Sequence, residues 1–598
     1  MTNSASAKSP IALLLHNGTR PANDDHLADI LDFFGIPWAA LTIDEAKAGS
    51  VASLVSDHPS FSVLTSAPCL AEVLQAGNAE TFPDWLRDSS SVFVYGFQKT
   101  DACRNLLRVI TGDSEADIRS LDGAPATASV TDDFPEMCGP MSGVQMHLEP
   151  GAVGSVLTIR PDSSQFQSIA GASEGELFAR LSCAGTSFFC DSSQTMTNIQ
   201  QRTETYFDVK KSFAGAVPIV MYLKWAFREI CGAAREISAC LIIDDLPLKP
   251  RYGFFESRDL LQLLEKHTFA ATFAFIPWNW RRTDHETVAI FKQHSEKLSI
   301  CVHGCNHTGA EFAIRSADLL DRKLKTARDW MNSLFERTGL HHDNVMVFPY
   351  GIFSPEAGLA LKENGFFAAV NTDVTPADLA SNETTIADLW SVAILRYGGF
   401  PIFTRRYIDH GIENFAFDGL LGKPCFLVGH HDLFRDQGRE LTEFLEKLNS
   451  LNWKLHWRTL ESAVCRSYSI QCFGGITKVK MFAKQLFIEN TGSEPRQVLV
   501  LKEEADIGAV RSVTVSREPV DYTCESGRLQ FIVNVPPGST AEIRCIYDEK
   551  AVSCAHPKAL FYRLRVAGRR YLSEFSDNYF SRNAFLHRTA AAAKRLLD

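Results

Sequence analysis

Four apolar runs in the middle of the chain each stop abruptly at a polar group. Cys240-Leu241-Ile242-Ile243 stops at Asp244-Asp245. The run at 298–302 stops at His303-Gly304-Cys305-Asn306-His307. Val345-Met346-Val347-Phe348 runs into Pro349-Tyr350-Gly351, and the run at 425–429 ends at His430-His431-Asp432. Near-continuous apolar runs of this length predict strands buried on both faces, the parallel kind. Further runs at 270–276, 366–370 and 392–395 extend the series. Helical spacing falls between several of them, at 259–266, 321–335 and 439–448. Residues 238–466 therefore read as the main α/β unit, a parallel sheet or barrel. Polar groups at the ends of such strands are where that architecture assembles a site.

The flanks carry other patterns. Residues 1–114 predict a small open α/β domain, Rossmann-like or flavodoxin-like. Its strands are expected at 11–15, 39–43, 91–96 and 107–110, with a helix from His26 to Phe34. It has no GxGxxG, so a dinucleotide role is unsupported. Residues 115–237 become rich in Gly, Ser and Thr, with short strands near 156–159 and 177–181, then a helical stretch. There Tyr222, Trp225, Ala226 and Ile230 fall at packing intervals. Residues 467–552 switch to period-two strands with polar turns, which predicts an antiparallel β-sandwich. Residues 553–598 form a basic, aromatic tail ending in the helix former Ala590-Ala591-Ala592-Ala593-Lys594-Arg595. The arginines of that tail, Arg563, Arg565, Arg569 and Arg570, are expected to be solvated or packed on acidic surfaces.

The chain's 598 residues are enough for several domains. A formal charge of −11 disfavours a nucleic-acid partner, because phosphate backbones recruit Lys and Arg clusters. It leaves a neutral sugar open. The 15 cysteines are odd in number and irregular in spacing. Cys240, Cys301 and Cys425 sit inside expected core strands, which favours a reducing compartment. No secretory pattern opens the chain and no apolar run reaches the roughly 18 residues of a membrane span, so the expected location is the cytoplasm.

The polar strand ends combine into one chemistry. Two adjacent carboxylates such as Asp244 and Asp245 cannot easily both stay ionised in a dry site. A metal held by one relieves the conflict and frees the other to act as a base. His303 and His307 are four apart, a spacing that shares one face of a helical turn. Asp, His and His form a competent metal shell. Pro349-Tyr350-Gly351 is a rigid turn in which Tyr350 can line a substrate wall and a backbone N–H can serve an oxyanion. His430 or His431 can protonate a leaving group. His430 is preferred because it comes first off the strand. Trp278 and Trp280 offer faces either to sugar rings or to the core.

These segments, in this order, resemble the polysaccharide deacetylase (NodB-homology) family, carbohydrate esterase family 4. The resemblance covers about 230 residues. It implies a distorted (β/α) barrel of seven strands and removal of N- or O-acetyl groups from a carbohydrate. By its motifs, Asp244 would be the catalytic base, Asp245, His303 and His307 the metal ligands, and His430 the general acid. Zinc is the expected ion, or another divalent transition metal, and an acetylated sugar or polysaccharide the expected partner. The family's third motif, RxPYG, is altered: Val347 stands where its arginine orients the base. Arg396, after another apolar run, is offered as the substitute. The family's DxxDW-like segment has no clean match, although Asp388-Leu389-Trp390 lies in the region. The rival expectations are hydrolysis of another amide or of a glycosidic bond on the same barrel, and a degenerate carbohydrate-binding module.

Overall fold

A computed structural model describes residues 9–18, 21–75, 82–121, 123, 126–160, 166–231, 236–473, 476–504, 507–547 and 560–580. It is a mixed α/β protein of several sheets. The Ala-rich run at 590–593 lies outside the described residues.

Eight strands of the nine-stranded central sheet form a parallel, nearly closed barrel. Their order is 402–404, 368–371, 343–347, 298–303, 271–275, 237–244, 425–429 and 406–407. Every neighbouring pair on that path is parallel. The strand Ile237–Asp244 is buried at all its positions, as the unbroken apolar run requires. The two outer strands, Ile402–Thr404 and Arg406–Tyr407, are consecutive in sequence. Arg405 alone joins them, so it sits at the seam of the barrel, where its N–H donates to the carbonyl of Asn371. The expected strand at 392–395 is not formed. Only a bridge between Ile394 and Ile402 remains there, and the outer strands are supplied by 402–407.

Residues 11–191 build a single sheet of 11 strands. Strands Trp38–Thr42, Ile11–His16, Phe61–Ser66, Ser91–Tyr95 and Thr186–Asp191 run parallel. The sheet then continues antiparallel through Gly175–Cys183, Phe166–Ala172 and Ala126–Val130. The strands after residue 114 therefore continue the first sheet, because the antiparallel half extends the parallel half through Thr186–Asp191. The stretch 107–110 belongs to a helix, Asp101–Thr111, in which Leu106, Leu107 and Ile110 make the buried face. Its apolar residues recur at helical intervals, and the run is too short to tell from a strand by composition.

The helix Val209–Ala226 is apolar all round from Phe213 to Leu223 and buried along most of its length. Tyr222 packs against Phe93 and Phe189, with ring centroids 4.9 and 5.1 Å apart, and its hydroxyl meets Ser91 Oγ. One continuous apolar core takes in this helix, one face of the N-terminal sheet and the helices around the barrel.

Past the barrel, five-stranded and four-stranded sheets share a core of Val479, Val498, Val500, Val513, Phe531 and Ile543. Most of their pairs are antiparallel, but Ile476–Met481 and Arg496–Glu503 run parallel. The chain returns to the barrel with the helix Leu560–Phe575. No described helix is long and apolar enough to cross a membrane. Cys240, Cys301 and Cys425 are buried thiols, and no disulfide forms among the described residues.

Candidate active site

A cavity of about 1360 Å³ opens at the C-terminal ends of the barrel strands. Asp244, Asp245, His303, His307, Tyr350, His430 and His431 all line it. The sequence separates these residues by almost 190 positions. The barrel brings them together because each follows a parallel strand that ends on the same rim.

Asp245 adopts φ +66° directly after its strand. That left-handed kink lets two adjacent side chains face one cavity, where extended backbone would send them to opposite sides. Asp245 Oδ1 lies 3.4 Å from His307 Nε2 and 3.8 Å from His303 Nε2. Two donors each about 2.0–2.1 Å from a tetrahedral zinc stand about 3.3 Å apart, so the three atoms have the spacing of a metal shell. Their donor atoms all fall within 4.8 Å of one another. Asp245 Oδ1 is buried and accepts no hydrogen bond, as a carboxylate oxygen reserved for a cation would. His303 Nδ1 lies 2.9 Å from the carbonyl of Val347. A carbonyl can only accept, so Nδ1 carries the proton and Nε2 keeps its lone pair for a metal. The donor set fits a divalent transition metal.

His303 and His307 do not share a helical turn. They are bridged by a loop that passes through Gly304 at φ +67° and His307 at φ +56°. The loop is tied by Glu311, a residue the sequence reading missed. Its buried carboxylate accepts the N–H groups of Cys305, Asn306 and His307 and pairs with Lys323 at 3.3 Å. A side chain at position 304 would collide with Glu311 and Pro349, so the glycine is needed for space as well as for φ. Tyr350, at φ +59°, lays its ring against His307 with centroids 4.8 Å apart.

Asp244 is held by Arg405. Two parallel hydrogen bonds, Nη1 to Oδ1 at 2.7 Å and Nη2 to Oδ2 at 2.6 Å, join a guanidinium 2% exposed to a carboxylate 5% exposed. Burial would raise the Asp244 pKa, but the charge and hydrogen bonds of Arg405, together with His303, leave it below the ordinary value. Asp245 is likewise held low: burial opposes its charge, and His307, His303 and Arg570 outweigh it. His307 falls to about 3, mainly through burial, and is therefore neutral and able to ligate.

The arginine that faces Asp244 is thus Arg405, not Arg396. Arg396 instead pairs with Asp388 at 2.9 Å, outside the cavity, where Asp388 also caps a short helix. Trp390 of the same segment is buried against Phe33, Phe207 and Phe417. Trp278 and Trp280 do not line the cavity either. Trp278 packs edge-on to Trp330, and Trp280 rests on the core with Arg281 over its ring. The cavity wall also includes Tyr206, Asp373, Tyr407 and His410. Tyr206 comes from outside the barrel and donates its hydroxyl proton to the Arg405 carbonyl. His431 is wedged between Tyr252 and Phe254, with Nδ1 buried and unbonded, and burial lowers its pKa.

No protein-family model matches the chain, and no curated protein matches it. Several solved structures are similar to it. One is assigned as a polysaccharide deacetylase from Mycobacterium smegmatis: 14% identity, TM-score 0.28, covering 39% of this chain and 90% of that one. Another is the catalytic domain of a peptidoglycan N-acetylglucosamine deacetylase from Eubacterium rectale: 12% identity, TM-score 0.24, 38% and 89% coverage. A third is a family 4 carbohydrate esterase from Streptomyces lividans: 15% identity, TM-score 0.19, 31% and 86% coverage. Likeness at this level carries no statement about activity, which has to rest on the side chains.

Proposed function

We propose that this protein is a metal-dependent hydrolase that removes acetyl groups, N- or O-linked, from a carbohydrate. The observation that supports it is the meeting of an Asp-His-His donor set and a second carboxylate, held ionised by Arg405, in one strand-end cavity. We read the parallel barrel as the distorted (β/α) barrel of the deacetylase family and the C-terminal sheets as an accessory β-sandwich.

Asp245, His303 and His307 would hold the ion, with zinc favoured by two imidazoles and one carboxylate. A divalent ion bound there polarises an acyl carbonyl and acidifies a water. Asp244 then serves as the proton acceptor: it is anionic, buried and fixed in orientation by a two-point contact that a rotating side chain would break. His430, on the same rim, donates a proton to the departing nitrogen or oxygen. Tyr350 and Tyr407 give the cavity aromatic walls suited to sugar faces. Its volume exceeds the roughly 300–1,000 Å³ of ordinary small-molecule pockets, which suits an oligosaccharide.

The test is metal content of protein purified without added metal, paired with acetate release from N- and O-acetylated sugars, each repeated on Asp245→Ala. One metal per chain and acetate release, both lost in the variant, is the expected result. Absence of metal from the unmodified protein, even after incubation with zinc, would overturn the reading.

A further inference from the structure

The helix Leu560–Phe575 and the turn Ser576–Phe580 lie across the rim of the cavity, and loops after three barrel strands hold them there. Glu574, 8% exposed, takes Lys249 Nζ at 3.1 Å and Arg282 Nη1 at 2.7 Å. Tyr252 donates its hydroxyl proton to Asp577 at 2.5 Å, and the Gly253 N–H reaches Asn578 Oδ1 at 2.8 Å. Arg569 donates to the Tyr350 hydroxyl at 2.7 Å. This segment is a built wall of the site.

From that wall Arg570 enters the cavity. It is 3% exposed, not solvated, and faces the acidic side chain of Asp245. Its Nη1 stands 4.0 Å from Asp245 Oδ1, too far for a hydrogen bond, and its Nε is buried with no partner. Glu574, on the same helix, is already engaged by Lys249 and Arg282. The other arginine buried at this site, Arg405, makes both of its carboxylate bonds to Asp244. A guanidinium largely withdrawn from water, at the wall of a cavity and without a bonded anion, is costly, and a planar fork of donors is matched by a carboxylate or an oxyanion. Asp245 cannot supply that anion while its charge serves a metal.

We propose that Arg570 binds an anionic oxygen of the substrate beside the metal donors, so that the C-terminal helix supplies a substrate-binding residue to a site otherwise built mainly by the barrel. This rests on the deacetylase reading. The oxygen has two possible sources, the acyl oxygen as it gains charge or an acidic group on the sugar, and the kinetics separate them.

The experiment uses the full chain loaded with zinc, unmodified and as Arg570→Met and Arg570→Lys, with zinc content and thermal unfolding checked first. Acetate, a carboxylate probe, is titrated by calorimetry. Its dissociation constant should rise at least tenfold in Arg570→Met and less in Arg570→Lys, which keeps the charge but loses the fork. If the acyl oxygen is the ligand, kcat falls at least tenfold on a neutral acetylated sugar while KM holds. If an acidic group is the ligand, KM rises on acidic sugars only. Unchanged acetate affinity in a folded, zinc-loaded Arg570→Met protein would overturn the proposal, as would loss of zinc with the arginine, which would make Arg570 a support of the metal donors alone. Should Arg570→Met not fold, Arg570→Lys carries the same comparison. A protein that binds zinc and acetate but releases acetate from no sugar would instead defeat the deacetylase reading, and the acetate titration would still decide the role of Arg570.

Discussion

Replacing Arg405 with methionine removes the partner of the buried carboxylate proposed as the base. Breaking a buried pair by deleting one member costs about 3–5 kcal/mol, because the remaining charge is left uncompensated. Alternatively, Asp244 avoids that cost by binding a proton. Freed of Arg405, burial favours that proton and the Asp244 pKa rises. In the unmodified protein Asp244 sits below its ordinary pKa, so its contribution to stability is present above the unfolded value of about 3.9 and is lost as pH falls through the folded value. In Arg405→Met the sign reverses: the folded pKa lies above the unfolded one, and stability is lost as pH rises between them. The gap between the two proteins should therefore be small near pH 4 and reach about 4 kcal/mol by pH 7. Denaturant unfolding at the two pH values measures it. The acidic limb of kcat/KM should move to higher pH, since burial without Arg405 favours the protonated carboxyl. A second substitution, Asp244→Asn, should restore most of the stability and none of the activity. Equal unfolding midpoints at pH 7 and an unmoved acidic limb would refute the pairing as the source of the base's charge.

Three further outcomes follow from the same geometry. Glu311→Gln should weaken zinc binding about 10–100-fold in a chelator competition, because the loop carrying His307 loses its charged anchor while every ligand remains; unchanged affinity would show that the loop holds itself. His430→Asn should cut kcat by about 10²–10⁴ with zinc retained, whereas His431→Asn, whose ring is packed between Tyr252 and Phe254, should cut it far less; the reverse order would reassign the acid. Asp343 is raised to about 7 by burial and by Glu461, so its contribution to stability is present below about pH 4 and lost as pH rises toward 7. Asp343→Asn should therefore raise Tm more at pH 8 than at pH 5, and a pH-independent change would show that the carboxyl is not protonated in the fold.

The barrel and the cluster of candidate donors were legible because both rest on local rules. Each strand is an unbroken apolar run, and each candidate donor lies at or just past the point where the run stops. The same rule, applied once more, finds Arg405: Phe400-Pro401-Ile402-Phe403 is an apolar run that stops at Thr404-Arg405-Arg406. A proline inside a run weakens it as a strand signal, and the strand that forms at the seam is only three residues long. Arg396 follows an apolar run of the same length, but that run makes only a bridge, and Arg396 does not line the cavity. Glu311 and Arg570 were not legible at all. One acts through backbone N–H groups that no side-chain pattern reveals. The other lies 325 positions from Asp245, the carboxylate it approaches, and depends on a long-range docking that no local pattern encodes.

The site's backbone explains why so much structure surrounds so few ligands. Asp245, His307 and Tyr350 all adopt positive φ, between 56° and 66°. Each costs a residue with a Cβ about 1–2 kcal/mol, so the three together consume several kcal/mol of a stability that is only about 5–15 kcal/mol in ordinary domains. Glycine would remove the strain at each position and would also remove the donor, the ligand or the wall. The conformations persist because neighbours overdetermine them. Strand Ile237–Asp244 pairs through Asp244 on one side and through Ile243 on the other, Glu311 holds the His307 N–H, and Arg569 holds the Tyr350 hydroxyl. Two of these three restraints come from side chains outside the motif segments themselves. A sequence that kept the motifs and lost Glu311 or the C-terminal helix would keep the donors and lose the geometry that makes them a site.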